Sequence, residues 1–127
     1  MAALAAALAR VEEVNQRNKD CSALMVAAVG NNEAVVELLL QQRGLDVNLT
    51  SKEIGQTALH MASSNGYTGI VRRLLAYPSL TCHNSRDIHG FSPLMLALMM
   101  NQVECVRELV AAEGIDLETK DPQGRGL

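Results

Sequence analysis

The feature that most constrains this chain is a repeat. Leu24, Leu59 and Leu94 fall 35 residues apart, and the same step links Ala27, Ala62 and Ala97, then Val36, Val71 and Val106, then Leu39, Leu74 and Leu109. Four positions keeping one register mean that a single supersecondary unit is copied along the chain, which points to a stacked solenoid in place of one closed core. Ser22, Thr57 and Ser92 keep the step as well, followed by the small or imino residues Ala23, Ala58 and Pro93.

Each unit reads as a helix, a turn and a second helix. A hydroxyl at Ser22, Thr57 and Ser92 accepts from the unpaired amides at a helix start, and Pro93 suits a first helical position. Seven residues after the aligned leucines come Asn31, Gly66 and Asn101, the residue types that best tolerate the left-handed conformation ending a helix. A second amphipathic run follows: Val36, Leu39 and Leu40, then Val71, Leu74 and Leu75, then Val106, Leu109 and Val110. These faces are expected to form the core. Ala27, Ala62 and Ala97 are expected where helices approach closely. The fold class is therefore all-α, and composition agrees: hydrophobic residues make up 48% but aromatics only 2%, so the interior must be built from Ala, Val, Leu and Met.

The pattern resembles the ankyrin repeat, whose signature runs Thr-Pro-Leu-His, an Ala pair, Gly, then Val and a Leu pair. The middle unit carries Gly55, Thr57, Leu59, His60, Ala62, Gly66, Val71, Leu74 and Leu75; the first ends in Gly44-Leu45-Asp46-Val47-Asn48; the third keeps Gly90, Pro93, Leu94, Ala97, Val106 and Leu109. Met25 and Met95 replace the signature His, and Asp20 stands where Gly55 and Gly90 set the expectation of glycine. The resemblance implies projecting β-turn loops and a division into 1–16 (a partial repeat or N-terminal capping helix), 17–51, 52–86, 87–120, and 121–127 (the start of a truncated fourth repeat). On this reading the chain is expected to be a piece of a longer protein.

The resemblance also implies the function: a non-catalytic scaffold or adaptor that binds a protein partner on the concave face made by loop tips and first helices. Carried over by register, that face holds Asn18, Lys19, Cys21, Val29 and Gly30, then Glu53, Ile54, Gln56, Ser64 and Asn65. The third unit adds Ile88, His89, Phe91, Met99 and Met100, and Pro122, Gln123 and Arg125 would extend it. Ile88, Phe91, Met99 and Met100 are apolar for solvent-facing positions, and exposed apolar patches mark interfaces. Adaptable methionines beside one aromatic anchor suit a hydrophobic peptide or helix, with Ile54 and Gln56 extending the site and His89 at its rim. The competing reading is that a neighbouring segment covers this patch. A different functional reading is a substrate-docking or autoinhibitory segment of a multidomain enzyme whose catalytic domain lies outside this chain.

Other chemistry finds little support. Net charge is −3, from 11 basic and 14 acidic residues, and no long basic run favours nucleic acid or an anionic membrane. No apolar run approaches the roughly 20 residues that span a bilayer. Cys82, His83 and His89 form the one local group of metal-ligand types, without a recognised zinc spacing and dependent on distant Cys105. No cofactor, metal, small-molecule substrate or catalytic residue is expected. His60 is expected to tie adjacent turns, and Arg72, Arg73 and Arg107 to face solvent. Three cysteines without a C-x-x-C pair fit a reducing, cytoplasmic or nuclear setting. Asn48-Leu49-Thr50 matches a glycosylation sequon that such a setting leaves silent. The Asp46-Val47-Asn48 stretch, with Leu40 upstream, resembles ankyrin asparagines that undergo β-hydroxylation, which makes Asn48 a candidate for that modification.

Overall fold

A computed structural model describes residues 17–18, 21–78 and 80–117. The expectations for 1–16, Lys19, Asp20 and 121–127 lie outside the described residues. A short antiparallel pair opens them: β1 (Arg17–Asn18) against β2 (Cys21–Ser22), with Arg17 opposite Ser22. Six helices follow as three pairs: α1 (Ala23–Val29) with α2 (Glu33–Leu40), α3 (Ala58–Asn65) with α4 (Thr68–Leu75), and α5 (Pro93–Met99) with α6 (Val103–Val110). All are seven or eight residues long, too short to persist alone in water. Tertiary stacking therefore holds them: α1 packs on α3 and α3 on α5, while α2, α4 and α6 form a parallel second row.

Local signals act where expected. Ser22, Thr57 and Ser92 cap α1, α3 and α5, each hydroxyl accepting from the amide three residues on at 3.2–3.3 Å. Asn31 and Asn101 adopt φ of 54° and 57°, and Gly66 takes 77°, so each first helix ends in the left-handed turn that lets the second run back alongside it. The aligned leucines, alanines and Leu39, Leu74 and Leu109 are buried. Closely approaching backbones at Ala27, Ala62 and Ala97 make this a small-residue interior.

One expectation is corrected. Leu40 and Leu75 are only partly buried, and in the third unit Val106 is half-buried while Val110 is exposed. Val36 and Val71, by contrast, are fully buried in the first two units, where a further second helix packs on each, and the described residues contain no helix beyond α6. Burial here depends on position in the stack as well as on the amphipathic pattern. Arg72 and Arg107 face solvent as expected and Arg73 does so in part, and Arg72 and Arg73 are drawn into surface ion pairs between units: Arg72 Nε pairs with Glu108 at 2.7 Å, and Arg73 with Glu37 at 2.9 Å and Glu33 at 3.7 Å. Adjacent arginines thus clasp neighbouring units on opposite sides. Arg107 pairs within its own helix with Glu104 at 3.5 Å.

The strict 35-residue step conceals a one-residue offset in the loops. Asn48 Oδ1 accepts from the amides of Thr81 (2.8 Å) and Cys82 (3.1 Å), and Asn84 Oδ1 accepts from that of Asp116 (2.7 Å). Thr81 and Asp116 are 35 apart, yet Asn48 and Asn84 are 36 apart. The extra residue is removed at the next tip, where Ser51 bonds to Gln56 across four residues but Asp87 bonds to Phe91 across three. The helices therefore stay in register although the loops do not.

Candidate functional site

The loop tips are built around Asp87. Its Oδ1 accepts from the amides of His89 (2.9 Å) and Phe91 (3.0 Å), closing the turn as an Asx turn does. Its Oδ2 accepts from Gln56 Nε2 at 3.0 Å, in the preceding tip. Burial alone would raise the carboxyl's pKa, but the hydrogen bonds from Gln56, Phe91 and His89, with His60 nearby, outweigh it and hold the group below the ordinary aspartate value. Gly55 and Gly90 supply the left-handed backbone each tip requires, with φ of 74° and 84°. The amide of Ile88 then donates to the carbonyl of Ile54 at 2.9 Å. This bond fixes two isoleucines side by side, 41% and 66% exposed.

Beneath the tips, His60 is fully buried. Its Nδ1 accepts from the Thr57 amide at 3.1 Å, so the ring proton resides on Nε2, which donates to the Phe91 carbonyl at 2.9 Å. Burial pushes its pKa down, against smaller opposing effects of the Phe91 carbonyl and Asp87. His60 therefore ties one unit's first helix to the next unit's tip. Met95 reproduces only the inner half of this arrangement, its sulfur accepting from the Ser92 amide at 3.4 Å.

The expected binding face comprises these tips and the first helices. Helices α1, α3 and α5 carry no Asp, Glu, Lys or Arg. Met99 and Met100 are 48% and 57% exposed at the end of α5, in the register positions that hold Val29-Gly30 and Ser64-Asn65 in the earlier units. Phe91 is half-buried, its ring 6.3 Å from that of exposed His89. Val29 is also exposed, whereas Ser64 is half-buried and Asn65 exposed. Charges lie at the tips instead, on exposed Lys52, Glu53 and Arg86. Among the expected site residues, Ile54, Ile88 and His89 are exposed at the tips, Phe91 is half-buried before the start of α5, and Met99 and Met100 are exposed at the other end of that helix. Gln56 does not offer a free amide, because Asp87 holds it. The side chains of Asn18 and Cys21 lie outside the described residues.

Asp87 and Asn84 were the residues that a repeat-based reading passes over. The spacing Asp87-x-x-Gly90 is a turn signal legible in the sequence, but its reach to Gln56 is not. Asn48, the hydroxylation candidate, is half-buried with its amide oxygen occupied by two backbone amides.

Cys82 and Cys105 are free and buried, and burial pushes both thiols upward, away from reactive thiolate character. Among the described residues, no three His, Cys, Asp or Glu side chains gather around one point as metal ligands would. None of the described helices is long and apolar enough to cross a membrane. An open groove of about 400 Å³ lies between Leu75, Tyr77, His83 and Ala112. Glu108, on its wall, is already paired with Arg72.

Stacked helical pairs, hydrogen-bonded tips and an uncharged inner surface define an interaction solenoid. The chain belongs to the ankyrin-repeat family: the family model for ankyrin repeats in three copies matches residues 24–121. It is 37% identical over 92 residues, 72% of the chain, to Alpha-latrotoxin-Lt1a of Latrodectus tredecimguttatus. It is 33% identical over 110 residues, 82% of the chain, to Palmitoyltransferase AKR1 of Lachancea kluyveri. With Synphilin-1 of Mus musculus identity is 30% over 80 residues, or 63% of the chain. The matched segments cover only 6%, 14% and 8% of those proteins respectively. Ankyrin repeats are general protein-interaction modules, typically without catalysis of their own.

Proposed function

We propose that this chain is a docking module that holds a partner protein on its concave face, against Ile54, Ile88, Phe91, Met99 and Met100, with His89 at the rim. The observations that carry this reading are the exposed, hydrogen-bonded Ile54–Ile88 pair at the tips, the absence of charged residues from the first helices, and two exposed methionines at the end of α5. Rigid, preorganised apolar groups lower the ordering cost of association. Flexible thioethers adapt to more than one shape. A hydrophobic peptide or helix is the partner chemistry such a surface accepts. A cytoplasmic or nuclear setting is consistent with the free thiols of Cys82 and Cys105.

The test begins with a partner captured by photo-crosslinkers placed at Ile88 and Met99 and then purified. Isothermal titration with Phe91→Ala and Met99→Ala is expected to weaken binding by roughly 1–3 kcal/mol each, the range for interface anchors. Unchanged affinity for both variants would refute this placement. A second reading follows from the resemblance to a palmitoyltransferase: the repeats dock substrate for, or restrain, a catalytic domain in a longer polypeptide. It predicts that Ile88→Asp in the full gene product changes turnover of the protein substrate but not of a minimal peptide.

A further inference from the structure

Accessible sulfur in the described residues is concentrated at one place. Met25 and Met95 are buried in the core, Met61 is partly buried, and Cys82 and Cys105 are buried as well. Among the sulfur residues whose side chains are described, only Met99 and Met100 are exposed. They close α5, Met100 being its C-terminal cap with Asn101 in the left-handed conformation immediately after it. Among the described residues neither thioether takes a hydrogen bond, whereas the Met95 sulfur accepts the Ser92 amide. At the equivalent positions the other units have Val29-Gly30 and Ser64-Asn65, which contain no sulfur.

We infer that Met99 and Met100 form an oxidation site, at which hydroperoxides convert the apolar docking surface of the free protein into a polar one. The thioether lone pair attacks the terminal oxygen of the peroxide. A sulfur–oxygen bond forms as the oxygen–oxygen bond breaks, and the hydroxyl proton passes to the departing oxygen to give water or an alcohol. Sulfur loses two electrons and the peroxide gains them, leaving methionine sulfoxide. A sulfoxide oxygen is a strong hydrogen-bond acceptor, so its transfer into an apolar contact is opposed. The fold is unaffected because neither side chain is part of the core. A dithiol-driven methionine sulfoxide reductase reverses the change.

The consequence for docking rests on the function proposed above, but the chemistry does not, and the two are separable. The full chain is treated with dilute hydrogen peroxide and followed by peptide mass mapping, circular dichroism and retention on a phenyl matrix. Met99 and Met100 are expected to oxidise about tenfold or more faster than Met25 and Met95, with helical signal retained. Phenyl retention should shorten for the wild type, recover after reductase treatment, and stay constant for Met99→Leu/Met100→Leu. Comparable oxidation of Met95, loss of helicity in step with oxidation, or unchanged retention after both sulfurs are oxidised would overturn the inference. Failure of the docking reading would appear elsewhere, as partner binding indifferent to Phe91→Ala while selective oxidation persists.

Discussion

The Nε2 of His60 donates to the carbonyl of Phe91, 2.9 Å away and 31 residues on in the chain. The same carbonyl receives the Asp87 amide, so one oxygen joins a helix start in the second unit to the tip of the third. This link needs the neutral ring, since Nδ1 must accept from Thr57 while Nε2 donates.

Stability is expected to depend on this tautomer. His60 has a folded-state pKa lowered from 6.5, chiefly by burial, so the unfolded chain binds its proton more readily. The contribution is complete above 6.5 and is lost as pH falls through the depressed folded value. Urea midpoints measured from about pH 7.5 down to about pH 5 should fall for the wild type. His60→Gln should be less stable at neutral pH and show a flatter profile.

Asp87 should act as the anchor of two tips. Asp87→Ala removes acceptors from Gln56, His89 and Phe91, and an expected loss of about 1–3 kcal/mol follows from leaving such groups unpaired. Hydrogen exchange provides the sharper measurement, with the Ile88 amide losing protection more than amides in α2.

Ser63 is completely buried and, among the described residues, its hydroxyl has no hydrogen-bond partner. The first unit places Ala28 in the same register, also fully buried. Ser63→Ala is therefore expected to raise stability by up to about 1 kcal/mol, removing a desolvated donor without opening a large cavity. A lowered thermal midpoint would contradict this.

Asn48 couples loops through its side-chain oxygen, which accepts from the amides of Thr81 and Cys82. Asn48→Asp keeps an acceptor for the Thr81 and Cys82 amides, so it should be milder than Asn48→Ala, which is expected to cost about 1–2 kcal/mol. Chemical denaturation of the two variants side by side distinguishes a hydrogen-bonding role from a packing one.

Much of the fold was legible because its signals are local. A hydroxyl at Ser22, Thr57 or Ser92 caps the amide three residues away, Asn31 and Asn101 tolerate a left-handed turn, and leucines recur on one helical face; each is set within a turn or two of chain. Of the candidate site, what the sequence signalled and the structure bears on is exposure: Ile54, Ile88, Met99 and Met100 are apolar and exposed. Gln56 was read as a contact because the sequence gives no sign that Asp87, 31 residues away, holds its amide.

By itself, then, the sequence determined the helical pairs, their caps and their order, since short-range sterics and amphipathic periodicity act before any two units meet. The stacked structure alone decided which carbonyl His60 reaches, that Arg72 and Arg73 part to opposite neighbours, and that an extra residue before Asn84 is removed in the Asp87 turn. These contacts join residues some 30 to 40 positions apart, and their geometry exists only once one unit has been laid against the next.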